Sequence, residues 1–135
     1  MNQNRSVIFH VFGNPVPQGR GRIIKRGNFH SIKDPEKSKD WKLLVAAMAQ
    51  RYALDPILKG PLYVDLTFGF TKPASERKGA IYRAKKPDID NLVKAVLDGL
   101  DGVLYQGDQQ IVRLSACKVY TDKPGVMITV MEVKL

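Results

Sequence analysis

Two periodicities divide this chain. Across 62–70, Leu62, Val64, Leu66, Phe68 and Phe70 alternate with Tyr63, Asp65, Thr67 and Gly69, the period of a half-buried strand. Residues 7–12 are β-branched or aromatic and are closed by Gly13-Asn14-Pro15, which also reads as a strand. Between them Trp41, Leu44, Val45, Met48 and Tyr52 recur at helical spacing, and Asp34-Pro35 supplies an N-cap acid and a first-turn proline, so 35–52 is an amphipathic helix. Leu92, Val93, Val96, Leu97 and Leu100 form the stripe of a second helix, which Asp90 or Asn91 can cap and Gly102 stops. Asn91, Lys94, Asp98 and Asp101 fall on its other, polar side. After a short strand Val103-Leu104-Tyr105 and a turn Gln106-Gly107-Asp108, strands at 110–120 and 126–134 read as a hairpin through Lys123-Pro124-Gly125. The expected architecture is α+β: one domain over 1–135, with a mixed sheet of four to five strands and two main helices packed on one face.

Two segments lie outside these patterns, and both are basic. Residues 18–32 set Arg20, Arg22, Lys25 and Arg26 around Gly19, Gly21 and Gly27, as in a loop or basic hairpin. Residues 71–86 carry Lys72, Arg77, Lys78, Arg83, Lys85 and Lys86 against one acid, Glu76, and a loop this long in a compact domain usually serves function. They belong to a chain of 135 residues with 22 Lys+Arg, 13 Asp+Glu and a net charge of +9, a balance that bears on partners rather than fold and points to nucleic acid. No apolar run is long enough for a membrane span, and the first residues lack the apolar stretch of a signal peptide. One cysteine, Cys117, excludes an intrachain disulfide and reads as a buried, inert thiol; a reducing, cytoplasmic location fits. His10 and His30 are too few and too far apart for a histidine metal site.

Against this basic background, five of the thirteen acids fall between 88 and 108: Asp88, Asp90, Asp98, Asp101 and Asp108. Clustered carboxylates repel one another, so their crowding calls for a counter-ion. A hard cation such as Mg²⁺ takes oxygen ligands, one or two of them carboxylates, and keeps waters for a substrate phosphate. Asp88 and Asp90, two residues apart ahead of the helix, suit such an ion, and Asp108 can return to the same end. Lys94 lies one helical turn beyond Asp90, in reach of a phosphate or a carboxylate, and Asn91 and Asp98 are possible supports. The same residues also suit a plainer role, with Asp-x-Asp-Asn as N-cap chemistry and Lys94 in a surface ladder. For the basic segments, contacts to DNA phosphates stand against a merely solvated face; Phe29 and Tyr82 are placed to stack on bases or to pack a turn.

Three blocks resemble the RusA-type Holliday junction resolvases, crossover junction endodeoxyribonucleases of bacteria and their prophages. They are Gly13-Asn14-Pro15-Val16-Pro17-Gln18-Gly19-Arg20-Gly21-Arg22, then Lys86-Pro87-Asp88-Ile89-Asp90-Asn91-Leu92-Val93-Lys94 continuing to Asp98-Gly99-Leu100, then Gly107-Asp108-Gln109-Gln110-Ile111. The resemblance implies a homodimer that uses Mg²⁺ or Mn²⁺ to nick two opposed strands of a four-way junction in DNA recombination and repair. It implies that Asp88, Asp90 and Asp108 are metal-binding catalytic carboxylates and that Lys94 is an essential lysine. Gly107 departs from the pattern by replacing the first acid of a D-D pair, and Gly21 stands where a proline is usual. Two rival functions are a protein that holds branched DNA without cutting it and a Mg²⁺-dependent phosphohydrolase of free nucleotides.

Overall fold

In a computed structural model that describes residues 4–19 and 35–134, the chain forms four strands and two long helices. Strand β1 (Ser6–Phe12) leads through the segment 13–19 towards helix α1 (Pro35–Tyr52), followed by β2 (Leu62–Phe70) and α2 (Ile89–Leu100). A short 3-10 turn (Asp108–Gln110) then opens β3 (Ile111–Tyr120), and β4 (Gly125–Glu132) closes the chain. The α+β expectation holds: a mixed sheet of four strands in the order β1-β4-β2-β3. The basic segment from Arg20 to Ile32, with Arg22, Lys25, Arg26 and Phe29, lies outside the described residues.

Alternation along the strands decides where the core lies. Val7, Phe9 and Val11 of β1 pair with Val130, Ile128 and Val126 of β4, which pair in turn with Val64, Leu66 and Phe68 of β2. All nine are buried on one face. Trp41, Val45 and Ala49 of α1 and Leu92, Val96 and Leu100 of α2 complete the same hydrophobic cluster. Each fully buried aliphatic side chain adds about 1.5–3 kcal/mol. Leu44 and Tyr52, expected in the stripe of α1, are 40% and 44% exposed, and Tyr52 stacks on Phe9 at 5.0 Å. The helices meet where Gly99 leaves no side chain: a Cβ there would stand 2.8 Å from Val45 Cγ1 and 3.0 Å from the Lys42 carbonyl oxygen.

Three expectations need correction. The last two strands form no hairpin, because β2 lies between them; β3 pairs parallel with β2, and β4 antiparallel with β1 and β2. Their connection crosses the end of β2, where the Thr121 N–H donates to the Phe70 carbonyl at 2.8 Å and the Thr121 side chain fills the place a Cβ on Gly69 would take. Val103-Leu104-Tyr105 is a turn rather than a strand, tied by single bridges from Tyr105 to Leu58 and Asp101. Cys117 is only half-buried, with Sγ 3.8 Å from Thr67 Oγ1. Among the described residues no helix is long and apolar enough to cross a membrane.

Candidate active site

The parallel pair β2–β3 must be joined by a crossover, and this crossover holds all five clustered acids. Its first part, 71–88, runs along the outer edge of β3. Arg83 N–H donates to the Lys118 carbonyl at 3.1 Å, and Tyr120 N–H to the Ile81 carbonyl at 2.9 Å. Glu76 accepts the Tyr120 hydroxyl at 2.7 Å and faces Lys85 at 3.5 Å. Those donors, Tyr120 foremost, then the Arg77 N–H and Lys85, hold its carboxyl down at about 2. Lys118 reaches out of β3 to the carbonyl oxygens of Lys85 at 2.6 Å and Pro87 at 2.8 Å. Burial, then the charges of Arg83 and Lys86, lowers the Lys118 pKa, while Asp88 acts in the opposite sense. Sequence reasoning missed this lysine; its one signal was a cation set among the apolar residues of a strand.

Asp88 occupies the N-cap position of α2, with φ −68° and ψ 139°, yet its side chain makes no capping bond. This corrects the expected cap at Asp90 or Asn91 and weakens the plain capping role. The Asp88 carboxylate instead meets Lys86 Nζ at 2.9 Å, while Asp90 Oδ1 accepts the Asn91 N–H at 2.9 Å in the first helical turn. The Asn91 carbonyl accepts the Gln18 N–H at 2.9 Å, which seats the segment 13–19 against the start of α2. Among the described residues, Asn91 Oδ1 and Gln18 Oε1 are buried without a hydrogen-bond partner.

The other acids gather at the far end of the helix. Asp98 bridges Lys42 of α1 at 3.1 Å and faces Lys94 at 4.0 Å, so it ties the two helices together. Asp101 is the C-cap, and Gly102 follows at φ 77°. Asp108 begins the 3-10 turn and accepts the Tyr105 hydroxyl on Oδ1 at 2.9 Å. Burial raises its pKa; Tyr105 and Lys94 pull it down, and the charges of Asp101 and Asp98 push it up. Gln110 holds this turn: its Oε1 accepts the N–H groups of Gln106 and Gly107 at 2.9 and 3.1 Å, and its Nε2 donates to the carbonyls of Leu58 and Gly60 at 3.4 and 3.1 Å.

The site therefore has two acidic stations along α2, Asp88 with Asp90 at the start and Asp108 near Asp98 and Asp101 at the end, with Lys94 between them. From Ile89 to Leu97, whose carbonyl is 3.5 Å from the Tyr105 hydroxyl, the helix advances roughly 12 Å. Among the described residues no three Asp, Glu, His or Cys side chains gather around one ion position. Within one chain Asp88, Asp90 and Asp108 are thus not brought together as the spacing suggested.

The basic side chains divide as well. Arg77 and Lys78 stand exposed, whereas Arg83 lies 4.8 Å over the Phe70 ring with Nε on the Lys86 carbonyl, and Lys85 and Lys86 are paired with acids. Tyr82, between them, is 69% exposed.

Oxygen donors set among fixed cations beside a basic loop make up the equipment of a nuclease, and comparison with known proteins agrees. Residues 13–131 match the family model of endodeoxyribonuclease RusA. The uncharacterized protein YqaN of Bacillus subtilis (strain 168) is 37% identical to this chain over 138 residues, covering 94% of this chain and 96% of that protein. The chain belongs to the RusA endodeoxyribonuclease family. It is an enzyme of the crossover junction endodeoxyribonuclease class, whose members act on branched DNA and depend on a divalent metal.

Proposed function

We propose that this protein resolves four-way DNA junctions by paired symmetric nicks, with Mg²⁺ or Mn²⁺ as cofactor, in cytoplasmic DNA recombination and repair. The observation that carries this reading is Asp88 at the N-cap of α2 with its carboxylate not used for capping, next to Asp90 and at the exit of a basic loop. The donor set fits a hard cation, since it consists of carboxylates and Mg²⁺ needs only one or two of them. Asp88, Asp90 and Asp108 would hold the ion. When bound, it would polarise the scissile phosphate and make an attacking water more acidic. Lys94 offsets negative charge on the phosphate as it develops. Arg77, Lys78, Arg83, Lys85 and Lys86, with Arg20, Arg22, Lys25 and Arg26, supply phosphate contacts that place the junction. Asn91 and Asp98 act as supports.

A homodimer supplies the second cut, and it answers the separation of the acids. Because the two stations lie apart in one chain, a second copy is the natural means of bringing Asp108 to Asp88 and Asp90. The sheet face turned away from the helices offers a surface for it: Ile8, Phe12, Met127 and Met131 stand there 37–61% exposed in neighbouring register positions.

The test is cleavage of a synthetic four-way junction with and without Mg²⁺. Wild type should cut only with metal, and Asp90→Asn should lose cutting while binding the junction almost as tightly. Equal cutting by mutant and wild type would reject the reading.

A further inference from the structure

Tyr105 is wholly buried, although it ends in a polar hydroxyl. Its backbone is held from both sides. Its carbonyl accepts the Gly102 N–H at 2.9 Å, the preceding carbonyl of Leu104 accepts the Leu58 N–H at 2.9 Å, and bridges connect Tyr105 to Leu58 and Asp101. The ring has one place to be, and the hydroxyl emerges from the core at a fixed point. There it donates to Asp108 Oδ1 at 2.9 Å; the Leu97 carbonyl oxygen, at 3.5 Å, is the poorer acceptor.

Asp108 is the adjustable partner. It is partly exposed, starts a three-residue turn, and its two oxygens would exchange freely without a directional donor. A rigid donor facing a movable acceptor sets the acceptor's orientation. Hydrogen-bond partners behind a metal-binding carboxylate act in this way, and losing one typically weakens metal affinity about 10–100-fold.

We propose that Tyr105 is a positioning residue for Asp108: its hydroxyl holds one carboxylate oxygen so that the other is presented to the divalent cation. The inference rests on the reading of Asp108 as a metal ligand. In the plainer alternative Asp108 merely satisfies a buried phenol, and removing the hydroxyl would then leave metal binding untouched.

The experiment compares full-length wild type, Tyr105→Phe, Asp108→Asn and the double variant. Mn²⁺ binding is measured by calorimetry, and junction cleavage is followed against Mg²⁺ concentration. Tyr105→Phe should bind Mn²⁺ about tenfold more weakly and need about tenfold more Mg²⁺ for half-maximal cleavage, with the rate recovering at high Mg²⁺. The double variant should bind no more weakly than Asp108→Asn alone, because both act through one carboxylate. A Tyr105→Phe protein with a lowered Tm but unchanged Mn²⁺ affinity and Mg²⁺ dependence overturns the proposal. Wild type that neither binds Mn²⁺ nor cuts the junction overturns the functional reading itself, a different result. If Tyr105→Phe fails to fold, wild type labelled with 3-fluorotyrosine decides the matter: the buried Tyr105 fluorine signal should move on Mg²⁺ addition, and a stationary signal rejects the idea.

Discussion

Lys118 sends its ammonium from β3 to the carbonyl oxygen of Pro87 at 2.8 Å, one residue before Asp88. A strand of the sheet thereby fixes the entry to the proposed metal site. Replacing this lysine by methionine keeps the stem and removes both its bonds to the loop. Single-turnover junction cleavage should fall on the order of 100-fold, the cost of a misplacement near 1 Å, while the Tm changes by a few degrees. Unchanged cleavage would make Lys118 an edge contact and no more.

Arg77 and Lys78 stand exposed in a loop where Arg83 is packed and Lys85 and Lys86 are paired. Changing both to alanine should weaken junction binding and reduce the slope of log affinity against log salt by about 2, one for each phosphate no longer neutralised. Salt titration of binding checks this; an unchanged slope would place the DNA elsewhere.

Gly107 stands where the resemblance to the RusA pattern would place an acid, and its backbone is extended at φ −165°, open to any residue. A Cβ there meets the flexible end of the Gln109 side chain, with Oε1 closest. Gly107→Asp should therefore fold normally and cut within about threefold of wild type, whereas Asp108→Asn should lose at least about 100-fold. Similar losses from the two changes would mean that the environment of the turn matters more than the Asp108 carboxylate.

Gly99 permits the close crossing of α1 and α2. Gly99→Ala forces a methyl against Val45 and the Lys42 carbonyl and should destabilise by about 1–3 kcal/mol, read from denaturant unfolding. No change in the unfolding midpoint would show that the helices can separate freely.

Glu132 gathers Arg5 Nε and Nη2, the Arg5 N–H and the Lys59 N–H, at 2.9–3.3 Å. Arg5 foremost, and the two backbone N–H groups, hold its carboxyl near 2 against an ordinary value of 4.5. A depressed carboxylate stabilises above its unfolded pKa and loses that contribution as pH falls through the folded one. Glu132→Gln should cost about 1.5–3 kcal/mol at pH 7, and its deficit should shrink as pH drops from 4.5 towards 2. Thermal melts across that window test the sign; a deficit growing in acid would contradict it.

Much of the fold is legible in the residues themselves. Alternation at 62–70 and helical spacing at 35–52 give those elements their observed limits, because each buries one face. Strand neighbours are less legible, since alternation tells which side is buried but not which strand lies alongside. A four-residue link between β3 and β4 looks like a hairpin until β2 takes the place between them. Asp88, Asp90 and Asn91 are all capping types, so only backbone geometry identifies Asp88 as the cap. The distance between the two acidic stations depends on helix rise, which motif spacing conceals. Tyr105 was hidden for another reason: in Val103-Leu104-Tyr105 it reads as core, and core it is, except for one oxygen.

The parallel seam between β2 and β3 gives the molecule an unusual division of labour. Everything between Phe70 and Ile111 is one excursion that leaves and rejoins adjacent strands. Its chemistry can drift, lengthen or fall silent while the pleated platform beneath keeps its pairing. A descendant of this chain that had forgotten how to cut would still look, in outline, like its ancestor.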